Sequence, residues 1–302
     1  MLNVIATVLP WYQAILMGLL QGVTELFPVS SLGHAVLFPD LFGWTELARA
    51  QAEPESYFLA FLVALHVGTA IGLIAYYWRT WLELLQGLVQ QLSRRDVSLA
   101  GRLNPRTPGT NHHYRLLFLL VAGTIPVGLV GVAFEHRIRT IFSVPRYAAM
   151  FLTLNGLVML SGEILRRRAS RREEHHELSD LSVASATVIG SSQIGALFAG
   201  ISRSGIAMVA SLLRGMSHRD AAEFSFLLAT PIILAAGVYK LPDFLGPLGD
   251  GIRAQAIVAA IVSGIAAYFS VKFLSRWFTT HTLWPFGIYC IVAGAYFFVR
   301  FG

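Results

Sequence analysis

Six stretches of this chain, residues 57–78, 114–134, 146–165, 221–239, 254–273 and 283–299, are almost wholly apolar and hold no more than two charged residues each. A helix needs about 20 such residues to cross a hydrocarbon core about 30 Å thick. With 55% of its 302 residues hydrophobic and 13% charged, the chain is too apolar for an ordinary soluble domain, and the surplus must face lipid. The expected class is an all-α integral membrane protein with six transmembrane helices, forming a single membrane domain over residues 1–302.

Two further apolar stretches, 11–37 and 183–213, are interrupted at mid-length. The first carries Gln21, Glu25, Pro28, Ser30, Ser31 and His34; the second carries Ser191, Ser192, Gln193, Ser202, Arg203 and Ser204. Backbone freed from a helix at membrane depth is tolerated only where protein or a water-filled cavity surrounds it, so both stretches are expected to be re-entrant helix hairpins. An offset of 172 aligns Gly18 with Gly190, Gln21 with Gln193, Ser30 with Ser202, Gly33 with Gly205 and Ala35 with Ala207. Each half, residues 11–165 and 182–302, then reads as one hairpin followed by three spans. An odd number of spans inverts the second copy, which is the plan of an inverted-topology repeat with its site where the broken helices meet.

The net charge of +6 sits in the connections between spans, so topology accounts for it and no nucleic-acid partner is expected. Placing residues 79–113, 166–181, 214–220 and 272–282 in the cytoplasm gives that side 14 Lys and Arg against 7 on the other. By the positive-inside rule the termini and the first hairpin then face outward. Residues 94–113 form the only long polar loop, and the basic run 166–177 suits a solvated helix at anionic headgroups. Met1–Tyr12 lacks the basic residues of a signal peptide and is expected to be retained. Cys290 is the only cysteine, so no intramolecular disulfide forms. Glycines at residues 123–131 fit close helix packing, and oligomeric state is left open.

Ionisable groups within spans are costly and usually mark a site. Gln21 and Glu25, four residues apart, share one helix face. Pro28 stops that helix, and Ser30 to His34 begin a returning arm whose free N–H groups favour an anion. Arg203, flanked by Ser202 and Ser204 and bracketed by Gly200 and Gly205, presents a planar fork of donors suited to phosphate oxygens. Blander readings exist for each: an ion pair fastening Glu25 to Arg203, a satisfied buried His34, serines that merely pack. Packing alone, however, does not require acid, imidazole, guanidinium and hydroxyls at the breaks of both hairpins. His66 lies mid-span, either facing the site or bonding a backbone carbonyl. Glu163, beside the basic run, reads as interfacial.

Gln21-Gly-Val-Thr-Glu25-Leu-Phe-Pro28-Val-Ser30-Ser31-Leu-Gly33-His34 and Gly200-Ile-Ser202-Arg203-Ser204-Gly205 resemble the two signature motifs of the bacterial undecaprenyl pyrophosphate phosphatases of the bacitracin-resistance type. The resemblance runs from about Trp11 to the C-terminus and includes Glu223 to Pro231. It implies hydrolysis of undecaprenyl pyrophosphate to the monophosphate and phosphate at the outer face of the bacterial inner membrane, recycling the carrier for cell-wall synthesis. It implies Glu25, Ser31, His34 and Arg203 as catalytic residues, with Ser30, Ser202, Ser204, Gly205 and Gln21 binding substrate. A divalent metal, Mg²⁺ or Ca²⁺, on Glu25 and Gln21 is implied likewise, the partners being membrane lipids and a polyprenyl pyrophosphate. The chain departs from the pattern at Gln21, where Glu is frequent, at Ala199 and Ala207, where Pro and Thr are usual, and at His66, where Gln is common. The competing reading is a transporter or flippase of a lipid phosphate, since inverted repeats with midplane sites typify secondary transporters.

Overall fold

A computed structural model describes residues 9–53, 56–93, 111–142, 144–169, 178 and 181–301. Residues 94–110 of the expected polar loop and 170–177 of the basic run lie outside the described residues. The described chain is helical, with α1 (Trp11–Thr24), α2 (Ser31–Leu41), α3 (Thr45–Ala52), α4 (Tyr57–Tyr76), α5 (Trp78–Ser93) and α6 (His112–Phe142) in its first part. There follow α7 (Pro145–Ala169), α8 (Val183–Ser192), α9 (Arg203–Leu212), α10 (His218–Leu245), α11 (Arg253–Trp277) and α12 (Trp284–Phe301). Six of these, α4, α6, α7, α10, α11 and α12, contain segments long and apolar enough to cross a membrane, and they coincide with the six expected spans. The chain is a multi-pass membrane protein.

Close approach of helix backbones holds this bundle together, as expected where lipid removes any hydrophobic drive between helices. Helix α11 is gripped on two sides. A Cβ on Gly18 or Gly22 of α1 would strike the carbonyl oxygens of Ala259 or Ser263, and one on Gly68 or Gly72 of α4 those of Ala260 or Gly264. In the same way α12 runs along α7 through Gly156 and Gly287. Gly123 of the glycine-bearing span packs on Gly190 of α8, whereas Gly128 and Gly131 meet only side-chain tips.

The two interrupted stretches are broken where the sequence places the breakers. Helix α1 ends at Thr24 and α2 begins at Ser31, with Pro28 between them. Helix α8 gives way to a 3₁₀ turn over Gln193–Leu197 and then to extended backbone at Phe198 before α9. Gly200 has φ of 109°, and a Cβ there would also collide with the Ala148 carbonyl, so only glycine fits.

One feature departs from the sequence reading, and one residue gains partners that the sequence does not show. Helix α5 occupies what was assigned as connection, and it has three faces. Leu84 and Gln91 are buried toward α6, Glu83 and Gln86 are exposed, and Trp78, Leu82, Leu85, Val89 and Leu92 form an exposed apolar stripe at helical spacing. Glu163, beside the basic run, is fully buried within the protein. It accepts a hydrogen bond from the Leu283 N–H at 2.8 Å and pairs with His218 Nε2 at 2.6 Å, tying α7 to the starts of α10 and α12.

Candidate active site

The two breaks meet. A Cβ on Gly33 would press on the Gly200 Cα, which brings the start of α2 against the segment leading into α9. Both helices begin here with the same device. Ser30 caps α2 by accepting from the Gly33 N–H at 3.2 Å, and Ser202 caps α9 by accepting from the Gly205 N–H at 3.1 Å. Two helix N-termini therefore deliver uncapped N–H groups and the positive ends of their dipoles to one place.

Ser30 has φ of 70°, the only positive φ of a non-glycine residue in the described chain, a conformation that costs about 1–3 kcal/mol. Its hydroxyl compensates by accepting a second bond, from the Gly200 N–H at 3.1 Å, so the strained residue also stitches one break to the other.

Glu25 stands at the centre, 6% exposed. Its Oε1 accepts from Arg203 Nη2 at 2.7 Å. Its Oε2 accepts from the Ser31 hydroxyl and from Gln21 Nε2 at 3.0 Å, and lies 3.4 Å from His66 Nε2. The His66 ring is oriented by its Nδ1–H, which donates to the Leu62 carbonyl at 2.8 Å, so the two sequence alternatives for this residue are both realised. Within this cluster two polar atoms remain buried without a partner, Arg203 Nη1 and Gln21 Oε1. Buried polar groups in folded proteins are mostly paired, so an unpaired guanidinium N–H beside an ion pair points to a ligand acceptor.

Gln21, Glu25, Ser31 and Arg203 thus converge, joined by His66. His34 is buried at their side. Its Nδ1–H donates to the Ser30 carbonyl at 2.7 Å, its Nε2 meets the Tyr289 hydroxyl at 2.8 Å, and its ring stacks on that of Tyr289. Ser204 donates to the Glu25 carbonyl at 3.3 Å and shares a bond with Ser202 at 3.0 Å, while the Gly205 amide is taken by the Ser202 cap.

Sequence reasoning passed over Asn155 and Tyr289. Asn155 is 1% exposed in the middle of α7, where a lone amide in an apolar span was a signal that could have been read. It donates to the Pro28 carbonyl at 3.0 Å and accepts from the Ser202 N–H at 3.0 Å. Tyr289, one aromatic among many on α12, offered no such signal.

The chain is similar to known proteins over nearly its whole length. Residues 14–296 match the family described as bacitracin resistance protein BacA. An undecaprenyl-diphosphatase of Mycolicibacterium paratuberculosis is 48% identical over 95% of this chain and 95% of its own. Undecaprenyl-diphosphatase 2 of Frankia alni is 44% identical, covering 97% of this chain and 98% of the relative. The undecaprenyl-diphosphatase of Granulibacter bethesdensis is 43% identical over 93% and 94%.

Proposed function

The chain belongs to the bacitracin resistance protein BacA family, and from that membership we infer that it hydrolyses undecaprenyl diphosphate to undecaprenyl phosphate and phosphate. The observation that carries the reading is the buried Glu25, bonded to the Ser31 hydroxyl on one oxygen and to Arg203 on the other, with Arg203 Nη1 left for a phosphate oxygen.

These contacts support the following roles. Ser31 Oγ attacks the terminal phosphorus and gives its proton to Glu25. The bond from that phosphorus to the bridging oxygen breaks, undecaprenyl phosphate leaves, and a phosphoserine remains. Glu25 hands that proton to the departing bridging oxygen and is ionised again. Water then gives a proton to Glu25 and attacks the phosphoserine; the bond from phosphorus to Ser31 Oγ breaks, phosphate leaves, and Oγ takes the proton back from Glu25. Arg203 and the N-termini of α2 and α9 hold the phosphoryl oxygens as negative charge shifts among them. His34, bonded through both ring nitrogens, holds the start of α2 and the Ser30 carbonyl rather than attacking.

A resident metal ion does not fit these residues. Both Glu25 oxygens are occupied by N–H or O–H donors, Gln21 Oε1 is the one unengaged oxygen beside them, and no group of three His, Cys, Asp or Glu gathers among the described residues. Hard cations take six or more oxygens, so Mg²⁺ or Ca²⁺ enters on the diphosphate itself. An apolar cavity of about 440 Å³ beside the site, lined by Leu32, Val36, Leu62, Val127, Ala199 and Ile232, receives the first isoprenoid units.

The two broken segments are read as re-entrant hairpins of an inverted repeat within one membrane domain. Support comes from the shared capping at residues 172 apart, Ser30 with Gly33 and Ser202 with Gly205. The site is read as opening to the outer face of the inner membrane, as the family resemblance implies, and the charge balance of the connections supports this by turning the first broken segment outward.

Purified protein in detergent is expected to release phosphate from undecaprenyl diphosphate with Mg²⁺ present and to stop with EDTA. A flippase would release none, and failure of the folded protein with either ion would overturn the reading. At His66, substitution by Leu removes a partner of a carboxylate, a contact whose loss is expected to lower kcat about 10- to 100-fold. His66→Gln, which can still donate to Glu25, should keep most of the activity; unchanged turnover in His66→Leu would mean that the Nε2 contact is idle.

A further inference from the structure

Breaking two helices inside a membrane protein frees backbone groups that must find partners within the protein. At the first break the carbonyl of Pro28 is freed; at the second, the N–H of Ser202 has no helical acceptor. One side chain answers both. Asn155, on neither broken segment but on α7, donates Nδ2–H to the Pro28 carbonyl at 3.0 Å and accepts the Ser202 N–H on Oδ1 at 3.0 Å. Its Nδ2 also lies 3.4 Å from Cys290 Sγ on α12, and the amide is 1% exposed.

We propose that Asn155 is the positioning residue that sets the spacing between the nucleophile-bearing break and the arginine-bearing break. Pro28 lies three residues from both Glu25 and Ser31, and Ser202 immediately precedes Arg203. A fixed distance from Pro28 to Ser202 therefore fixes Ser31 and Arg203 about one phosphoryl group. An amide fits this task because it offers one donor and one acceptor in a rigid plane. A hydroxyl is too short to span both groups, and an apolar side chain leaves the Ser202 N–H buried and unpaired and the Pro28 carbonyl with only the weak Cys290 S–H donor at 3.9 Å. Direct links between the breaks, Ser30 to Gly200 and Arg203 to Glu25, tie residues near the reacting centre to one another. Asn155 instead ties both to a spanning helix, so the pair cannot shift together away from the substrate cavity.

This rests on the hydrolytic reading for its kinetic test, but not for its second measurement. Asn155→Leu, close in size and without polar atoms, and Asn155→Ala are purified as full chains in detergent. In the folded protein kcat is expected to fall about 10²-fold, the effect of misplacing reacting groups by about an ångström, with KM within threefold of wild type. Hydrogen exchange should accelerate in residues 26–34 and 198–206 together, although neither contains the substitution. Asn155→Asp, which keeps an acceptor for the Ser202 N–H, should retain more activity than Asn155→Leu, and it carries the comparison if the apolar variants do not fold. A kcat within threefold of wild type, or faster exchange confined to α7, would overturn the assignment. If wild type releases no phosphate, the hydrolytic reading fails, and the exchange measurement still decides whether Asn155 couples the two breaks.

Discussion

Arg203→Ala is expected to reduce phosphate release by about 10³-fold or more, the scale on which an arginine contributes to phosphoryl transfer. Two effects combine. The guanidinium fork facing the phosphoryl oxygens is lost, and Glu25, whose side chain is 5% exposed, keeps a buried charge without its 2.7 Å partner. Breaking a buried pair by removing one member costs about 3–5 kcal/mol of stability. Pairing the change with Glu25→Gln separates the effects: the double variant should regain most of the lost thermal stability and none of the turnover. A merely structural ion pair would instead give a stable, active double variant. Arg203→Lys keeps the charge without the planar fork and should fall between wild type and Arg203→Ala. Activity within tenfold of wild type in folded Arg203→Ala would remove Arg203 from the site.

Ser31→Ala is the complementary case, with a loss of turnover of about 10³-fold or more and little change in stability. The substitution deletes the attacking oxygen but leaves Glu25 bonded to Gln21 and Arg203. The capping of α2 is also untouched, because it belongs to Ser30. Substrate binding should survive, so the loss appears in kcat rather than KM. Mass analysis of quenched wild-type turnover should show phosphate on the peptide containing residue 31. Retention of more than a tenth of the turnover by Ser31→Ala would reassign the attack to water activated by Glu25.

The six spans were legible because the hydrocarbon core imposes a length on any apolar helix, and that length can be counted. The helix breaks were legible at Pro28 and Gly200, residues that break or tolerate irregular backbone for local steric reasons. Helix α5 was hidden within a connection, because an amphipathic helix with one apolar stripe carries a weaker signal than a span. The partners of Glu163 were hidden for another reason: His218 and the Leu283 amide lie 55 and 120 residues away in sequence.

Sequence by itself determined that Gln21, Glu25, Ser31, His34 and Arg203 would stand at broken membrane helices, since the cost of polar groups in lipid confines them to such places. It also identified the family through the two motifs. Only the tertiary structure decided which of them touch. It set Ser31 on Glu25 and turned His34 to Tyr289, although both begin the same helix, because direction around a helix depends on what packs against each face. It drew in His66 and Asn155 from separate spans. Hydrogen bonds between residues more than a hundred positions apart leave no local pattern, and the pairing of one break with the other is made of such bonds.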